Sequence, residues 1–210
     1  MDDLIFTSPD AWNGGDFELL LLFGHVEKEV VGQALAVLWS LPEVSGYWLD
    51  PDTEPGEQQR IAADSDVMDF TRVFRGIAEL AGGSRVACSS SILALGDEDG
   101  WWLSFGIPMG SLGRAFSVGA YPTDDGTPTD WLVPVTEWFR GVAKEIFAGA
   151  PFAAGAIGWL TGNEADEIIA VANARIPSER WVGYLKPDGN SLEWFPPNQL
   201  EPLDSLPPID

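Results

Sequence analysis

Two stretches of this chain carry apolar residues at helical spacing, and what separates them reads as strand and loop. From Glu27 to Leu41, Val30, Val31, Ala34, Leu35, Leu38 and Trp39 recur on one helical face, and Pro42 follows as a stop. From Asp130 to Ala148, Trp131, Val135, Trp138, Phe139, Val142, Ile146 and Phe147 form a second apolar face. Asp130 is the expected N-cap of that helix, and Gly149 is expected just past its end. Two such helices are too few for an alternating β-α pattern. The expected fold is therefore α+β: a largely antiparallel mixed sheet packed against two main helices, 27–41 and 130–148.

The strands follow from short apolar runs between Gly, Pro and Asp. Asp16–Phe23 lies between Gly15 and Gly24 and is short enough for a buried strand. Ser45–Leu49, Arg85–Leu95, Trp101–Ile107 and Phe152–Leu160 read as further strands. The connector Gly96–Gly100 has hairpin chemistry, and Lys186–Asn190 joins a second expected hairpin, Arg180–Leu185 with Ser191–Phe195. Residues 71–80 fit a helix or a strand equally well. Glu164–Ala174 reads as a short helix, and a short helix is also placed around Gln58–Ala63. Pro108–Thr129 is expected to be a long surface connection with a helical turn near Ser111–Ala115. No repeat of 20–50 residues occurs, and no linker divides the chain. The organisation expected is one α+β domain over 1–210. Its acidic tail, about 196–210, carries five prolines and is expected to be extended or frayed.

Composition narrows the function classes. Thirty-three acidic against 11 basic side chains give a formal charge of −22. A surface this negative opposes nucleic acid and anionic membranes, so neither is an expected partner. Yet 45% of residues are hydrophobic, with ten Trp, so a large core is expected despite the charge. No apolar run approaches the length of a membrane span. The N-terminus begins Met-Asp-Asp, without the basic region of a signal peptide, and Cys88 is the lone cysteine. A bacterial-type cytoplasmic protein is the expectation, or one secreted without a classical signal. A single His and a single Cys cannot build a Cys/His zinc site. No nucleotide-binding, nucleophile-elbow or zincin pattern occurs, and no cofactor or metal is expected.

The charge is concentrated. Glu43–Asp69 holds eight acids and one Arg, and Pro187–Asp210 holds five acids and no base. Asp50, Asp52 and Glu54 have the spacing of a calcium loop. The Gly and Glu such a loop needs at its sixth and twelfth positions are replaced by Pro55 and Ile61. The segment containing Asp50, Asp52, Glu54, Glu57, Asp64 and Asp66 is instead a candidate contact surface for a cationic partner, joined by the hairpin tip Asp97, Glu98 and Asp99. Trp101 and Trp102 are adjacent in a strand and so point to opposite faces. One of them is a candidate interface anchor unless both faces are covered, and Arg180-Trp181 poses the same question. Glu18, His25 and Glu193 are the weaker candidates for catalysis. His25 leaves the end of a strand, and Glu193 stands beside Trp194 as in a sugar-binding neighbourhood.

In size, acidity and absence of cofactor patterns, the chain resembles the immunity proteins that neutralise bacterial toxins. That resemblance implies an acidic binding protein, rather than an enzyme, that covers the active site of a basic toxin or effector domain. The alternative is a carboxylate- or divalent-metal-dependent hydrolase, and a homo-oligomeric structural protein is a third reading.

Overall fold

A computed structural model describes residues 5–61, 72–94, 100–119, 129–162 and 164–200. Eight strands form one sheet: β1 (Asp16–Gly24), β2 (Val44–Trp48), β3 (Val73–Glu79), β4 (Arg85–Ala94), β5 (Trp101–Pro108), β6 (Ala154–Trp159), β7 (Gly183–Asp188) and β8 (Ser191–Phe195). Their order is β2-β3-β4-β5-β1-β6-β7-β8, and every ladder is antiparallel. The sheet is thus antiparallel throughout rather than mixed. The α+β class holds, with four α-helices among the described residues: α1 (Lys28–Leu38), α2 (Met109–Ala115), α3 (Leu132–Gly149) and α4 (Glu164–Ala172).

Residues paired across strands share a face of the sheet. Phe17, Leu19 and Leu21 of β1, with Ile107, Phe105 and Leu103 opposite them on β5, line the first face. Helices α1 and α3 pack there, burying Val31, Ala34, Leu35 and Leu38 against Val135, Phe139, Val142 and Ile146. The second face carries its own core. Helix α4 places Ile168 and Val171 over Leu22, Trp102, Ala156 and Tyr184. Two main helices therefore account for one face only, and α4, expected to be short, covers part of the other. The segment before β1 also lies on that second face. Phe6 is packed edge-on between Trp12 and Trp48, and the Arg75 guanidinium sits over the Trp12 ring at 5.5 Å.

Several local expectations are revised. Within the ambiguous 71–80 stretch, Val73–Glu79 is β3, and Phe74, Gly76 and Ala78 alternate toward the first face. Helix α1 stops at Leu38; Trp39 leaves the helix as its C-cap, and Ser40 Oγ closes the turn on the Val37 carbonyl at 2.8 Å. Helix α3 begins one turn residue later than expected. Trp131, not Asp130, holds the cap position, and no side chain caps it. Gly149 is the last residue of α3, where a side chain would run into Val37 of α1, so it serves close helix packing rather than a cap. No helix forms over residues 58–61; the rest of that expected helix lies outside the described residues. Pro187 falls inside β7, beyond the last rung shared with β6, where its missing N–H breaks no ladder there. Of the expected tail, residues 196–200 are hydrogen-bonded to Arg180, and residues 201–210 lie outside the described residues. Arg180 Nε donates to the Pro196 carbonyl at 2.7 Å, and Asn198 Oδ1 accepts from the Arg180 N–H at 2.8 Å. Among the described residues, no helix is long and apolar enough to cross a membrane.

Candidate functional site

The acidic segment after β2 is an ordered loop. The Asp50 carboxylate accepts hydrogen bonds from Thr53 Oγ1 at 2.6 Å and from the Asp52 N–H at 3.0 Å. Those two bonds hold its pKa below the usual carboxylate value. Gln58 spans the loop, donating to the carbonyls of Asp50 and Thr53 at 2.7 and 2.6 Å. Glu54 accepts from Thr7 Oγ1, which ties the loop to the segment before β1. Arg75 donates to the Leu49 carbonyl at 2.7 Å, fixing the loop base to β3. Asp50, Asp52 and Glu57 remain exposed, and Glu54 is half-buried. Asp64, Asp66, Asp97, Glu98 and Asp99 lie outside the described residues, so the juxtaposition of loop and hairpin tip is not described either.

The two adjacent tryptophans are both accounted for by packing. Trp102 has no exposed surface and lies in the core beneath α4, which removes it as a contact anchor. Trp101 is half-buried against the first-face core. The condition for an exposed Trp there, an uncovered face, is not met. The exposed tryptophan among the described residues is Trp181, at 64%. The pair Arg180-Trp181 carried that signal in the sequence, but nothing there ranked it above Trp101-Trp102.

The three weak catalytic candidates are not brought together. Glu18 sits on β1 and His25 beyond its end, seven residues on, which an extended chain spreads over roughly 20 Å. Glu193 stands on edge strand β8, three strands from β1, or about 14 Å across the sheet. It is exposed and pairs with Lys186 at 3.9 Å. His25 is exposed in the turn between β1 and α1. Cys88 is fully buried, and burial raises its thiol pKa, as expected of an inert core cysteine.

Glu18 itself has a distinctive setting. It lies half-buried on the second face, where its Oε2 accepts from Ser104 Oγ at 2.6 Å. Ser91 pairs with Ser104 across the strands, and Ser89 and Glu18 both pair with Gly106, so all these polar side chains share one face. Burial, reinforced by the charges of Asp16 and Glu164, pushes the Glu18 carboxyl up to about 7 against the opposing Ser104 bond. Asp16, two residues earlier on the same face, is also raised by burial. Across α4, Glu167 accepts a hydrogen bond from the buried Tyr184 hydroxyl. No group of three or more His, Cys, Asp or Glu among the described residues is arranged to hold a metal.

A groove that sequence reasoning did not find opens between the end of β3, the turn after α1 and the first half of α3. Its volume is about 610 Å³. Leu80, Ala81, Pro134 and Trp138 give it apolar walls, with Pro42 at one side. Glu43, Glu79 and Glu137 also border it, and no Lys or Arg is among its described lining residues. Glu137 also pairs with Arg140. Arg140 is buried, its guanidinium 5.1 Å over the Trp194 ring. The groove draws Glu43 from before β2, Glu79 from β3 and Glu137 from α3, and no spacing in the chain signals that convergence. Comparison with protein-family models, with curated proteins and with solved structures gives no match.

Proposed function

We propose that this is an acidic binding protein whose partner is a basic protein domain, covered at its active site in the manner of an immunity-type inhibitor. The observation that carries the reading is the ordered acidic loop: Asp50, Asp52 and Glu57 are exposed on a segment held in shape by Gln58, Thr53 and Arg75. A pre-organised negative surface loses little entropy on docking and speeds encounter with a cationic partner. Co-expression and pull-down with the product of the adjacent gene test it. A complex that weakens steeply with added salt is expected. No complex, or one indifferent to salt, counts against the charge-led reading.

One observation favours a second reading, a carboxylate hydrolase. Glu18 holds its proton near neutral pH beside Asp16, as a general acid needs. In that reading, E18Q abolishes hydrolysis of chromogenic glycosides or esters, and a thermal-shift screen with Mg²⁺, Mn²⁺ and Ca²⁺ reports any metal requirement. No turnover by the unaltered protein would remove it.

A further inference from the structure

We infer that Ser104 and Glu18 are the nucleophile and general base of an esterase site on the second face of the sheet, acting on uncharged esters with an apolar acyl group. The inference rests on the hydrolase reading above and names its nucleophile and substrate class. Strands β4, β5 and β1 lie in the middle of the sheet. Helix α4 covers this face over Leu22, Trp102 and Tyr184, and the segment before β1 packs on Trp48 of β2. Between these covers Ser89, Ser91, Ser104 and Glu18 each keep part of their surface open. Ser104 Oγ lies 2.6 Å from Glu18 Oε2, a hydroxyl already donating to its base. The Asp16 side chain lies over Gly106, directly opposite Glu18 on β5. Burial first, then the charges of Asp16 and of Glu164 on α4, bring the Glu18 carboxyl to about 7, which suits a base working near neutral pH.

Ser104 Oγ attacks the ester carbonyl carbon as its proton passes to Glu18, and the carbonyl π pair moves onto oxygen. Ser91, paired with Ser104 at a β-carbon separation of about 4.5–5.5 Å, offers its hydroxyl to that oxyanion. The oxyanion collapses, the bond to the alkoxy oxygen breaks, and Glu18 gives the proton to the leaving alcohol. Water then attacks the acyl carbon, losing its proton to Glu18, and the carboxylic acid departs as Ser104 regains that proton. Apolar residues adjoin the nucleophile. Leu20, opposite Ser104, and Leu93, two residues past Ser91, are half-buried, and Val73, opposite Ser91, is 41% exposed. These three give an acyl chain a surface to lie on, while Asp16 and Glu164 repel anionic esters.

Labelling with a neutral fluorophosphonate, located by peptide mass spectrometry, and hydrolysis of p-nitrophenyl butyrate provide the test. One adduct is expected, on Ser104, and none in S104A. E18Q keeps an acceptor for Ser104 but cannot take its proton, so labelling and turnover at about pH 8 are expected to fall about a hundredfold. The labelling rate of the unaltered protein is expected to climb through about pH 7 and level off, and that of E18Q to stay flat. S91A is expected to slow turnover about tenfold or more with Ser104 still labelled. Circular dichroism separates these losses from unfolding, and the position of the adduct needs no variant. An adduct elsewhere, or labelling of Ser104 indifferent to E18Q, would overturn the assignment. Turnover of esters or glycosides that survives S104A but not E18Q would also overturn it and leave the hydrolase reading standing. Neither labelling nor turnover by the unaltered protein would overturn both.

Discussion

Gly46 and Gly76 face each other across β2 and β3, and the Trp39 indole lies where their β-carbons would be. Its Nε1 donates to Ser90 Oγ at 3.0 Å on β4, so one side chain from the end of α1 spans three strands. Tyr47, beside Gly46, takes φ +108° at the bulge, and its ring stacks on Phe74 at 4.4 Å. The same device recurs where Trp194 lies over Gly183. A methyl at Gly76 has no free space, so G76A is expected to cost about 2 kcal/mol or more in chemical denaturation, with lost near-ultraviolet dichroism from Trp39. Glu18 makes a second prediction. Its folded pKa, about 7, lies above the ordinary 4.5, so between those values the folded state holds a proton that the unfolded state has released. Stability therefore falls as pH rises from about 4.5 to 7, and the full penalty, on the order of 3 kcal/mol, is present above 7. E18Q keeps an acceptor for Ser104 and cannot ionise. It is expected to raise the melting temperature at pH 8 and to flatten the profile between pH 5 and 8. An unchanged profile would place the titration elsewhere.

Helix α4 decides how the second face of the sheet is used. Its Glu164 carboxylate folds back on the N–H groups of Thr161 and Gly162, both at 2.9 Å, which satisfies donors at the helix entry. Ile168 and Val171 then seal Trp102, whose Nε1 is buried without a hydrogen-bond partner. Burial of a large aromatic outweighs one orphaned donor, given the ~150–250 Å² it removes from water. I168A is expected to cost about 2–4 kcal/mol and to shift tryptophan emission to the red as water reaches Trp102. An unshifted spectrum would mean that α4 is not what dries that face. The strand elements were legible because apolar runs between Gly and Pro announce them: β1, β4, β5 and β6 fall within a few residues of their expected ends. The 73–79 stretch was not, since its Phe-Gly-Ala alternation gains meaning only beside a partner strand.

At the scale of the whole molecule, net charge and core act against each other. A charge of −22 on this many residues repels itself, while the buried residues of both faces hold the sheet between helices. Screening should relieve that repulsion. The melting temperature is expected to rise by several degrees between about 0.01 M and 0.5 M NaCl at pH 7, as followed by calorimetry. No rise would mean that the acids are spread too widely to strain the fold. The sequence by itself determined the class of fold, the two long amphipathic helices, the strand-rich remainder and the acidic character of the surface. Those properties depend on periodicity and composition, which are local or summed along the chain. Only the tertiary structure decided that Trp102 is buried while Trp181 is exposed, that Arg140 is interior, and that Glu43, Glu79 and Trp138 share a groove while Glu18, His25 and Glu193 share nothing. Each of those facts depends on strand order and on which face a helix covers, and such contacts are made between residues tens of positions apart, where spacing in the sequence carries no signal.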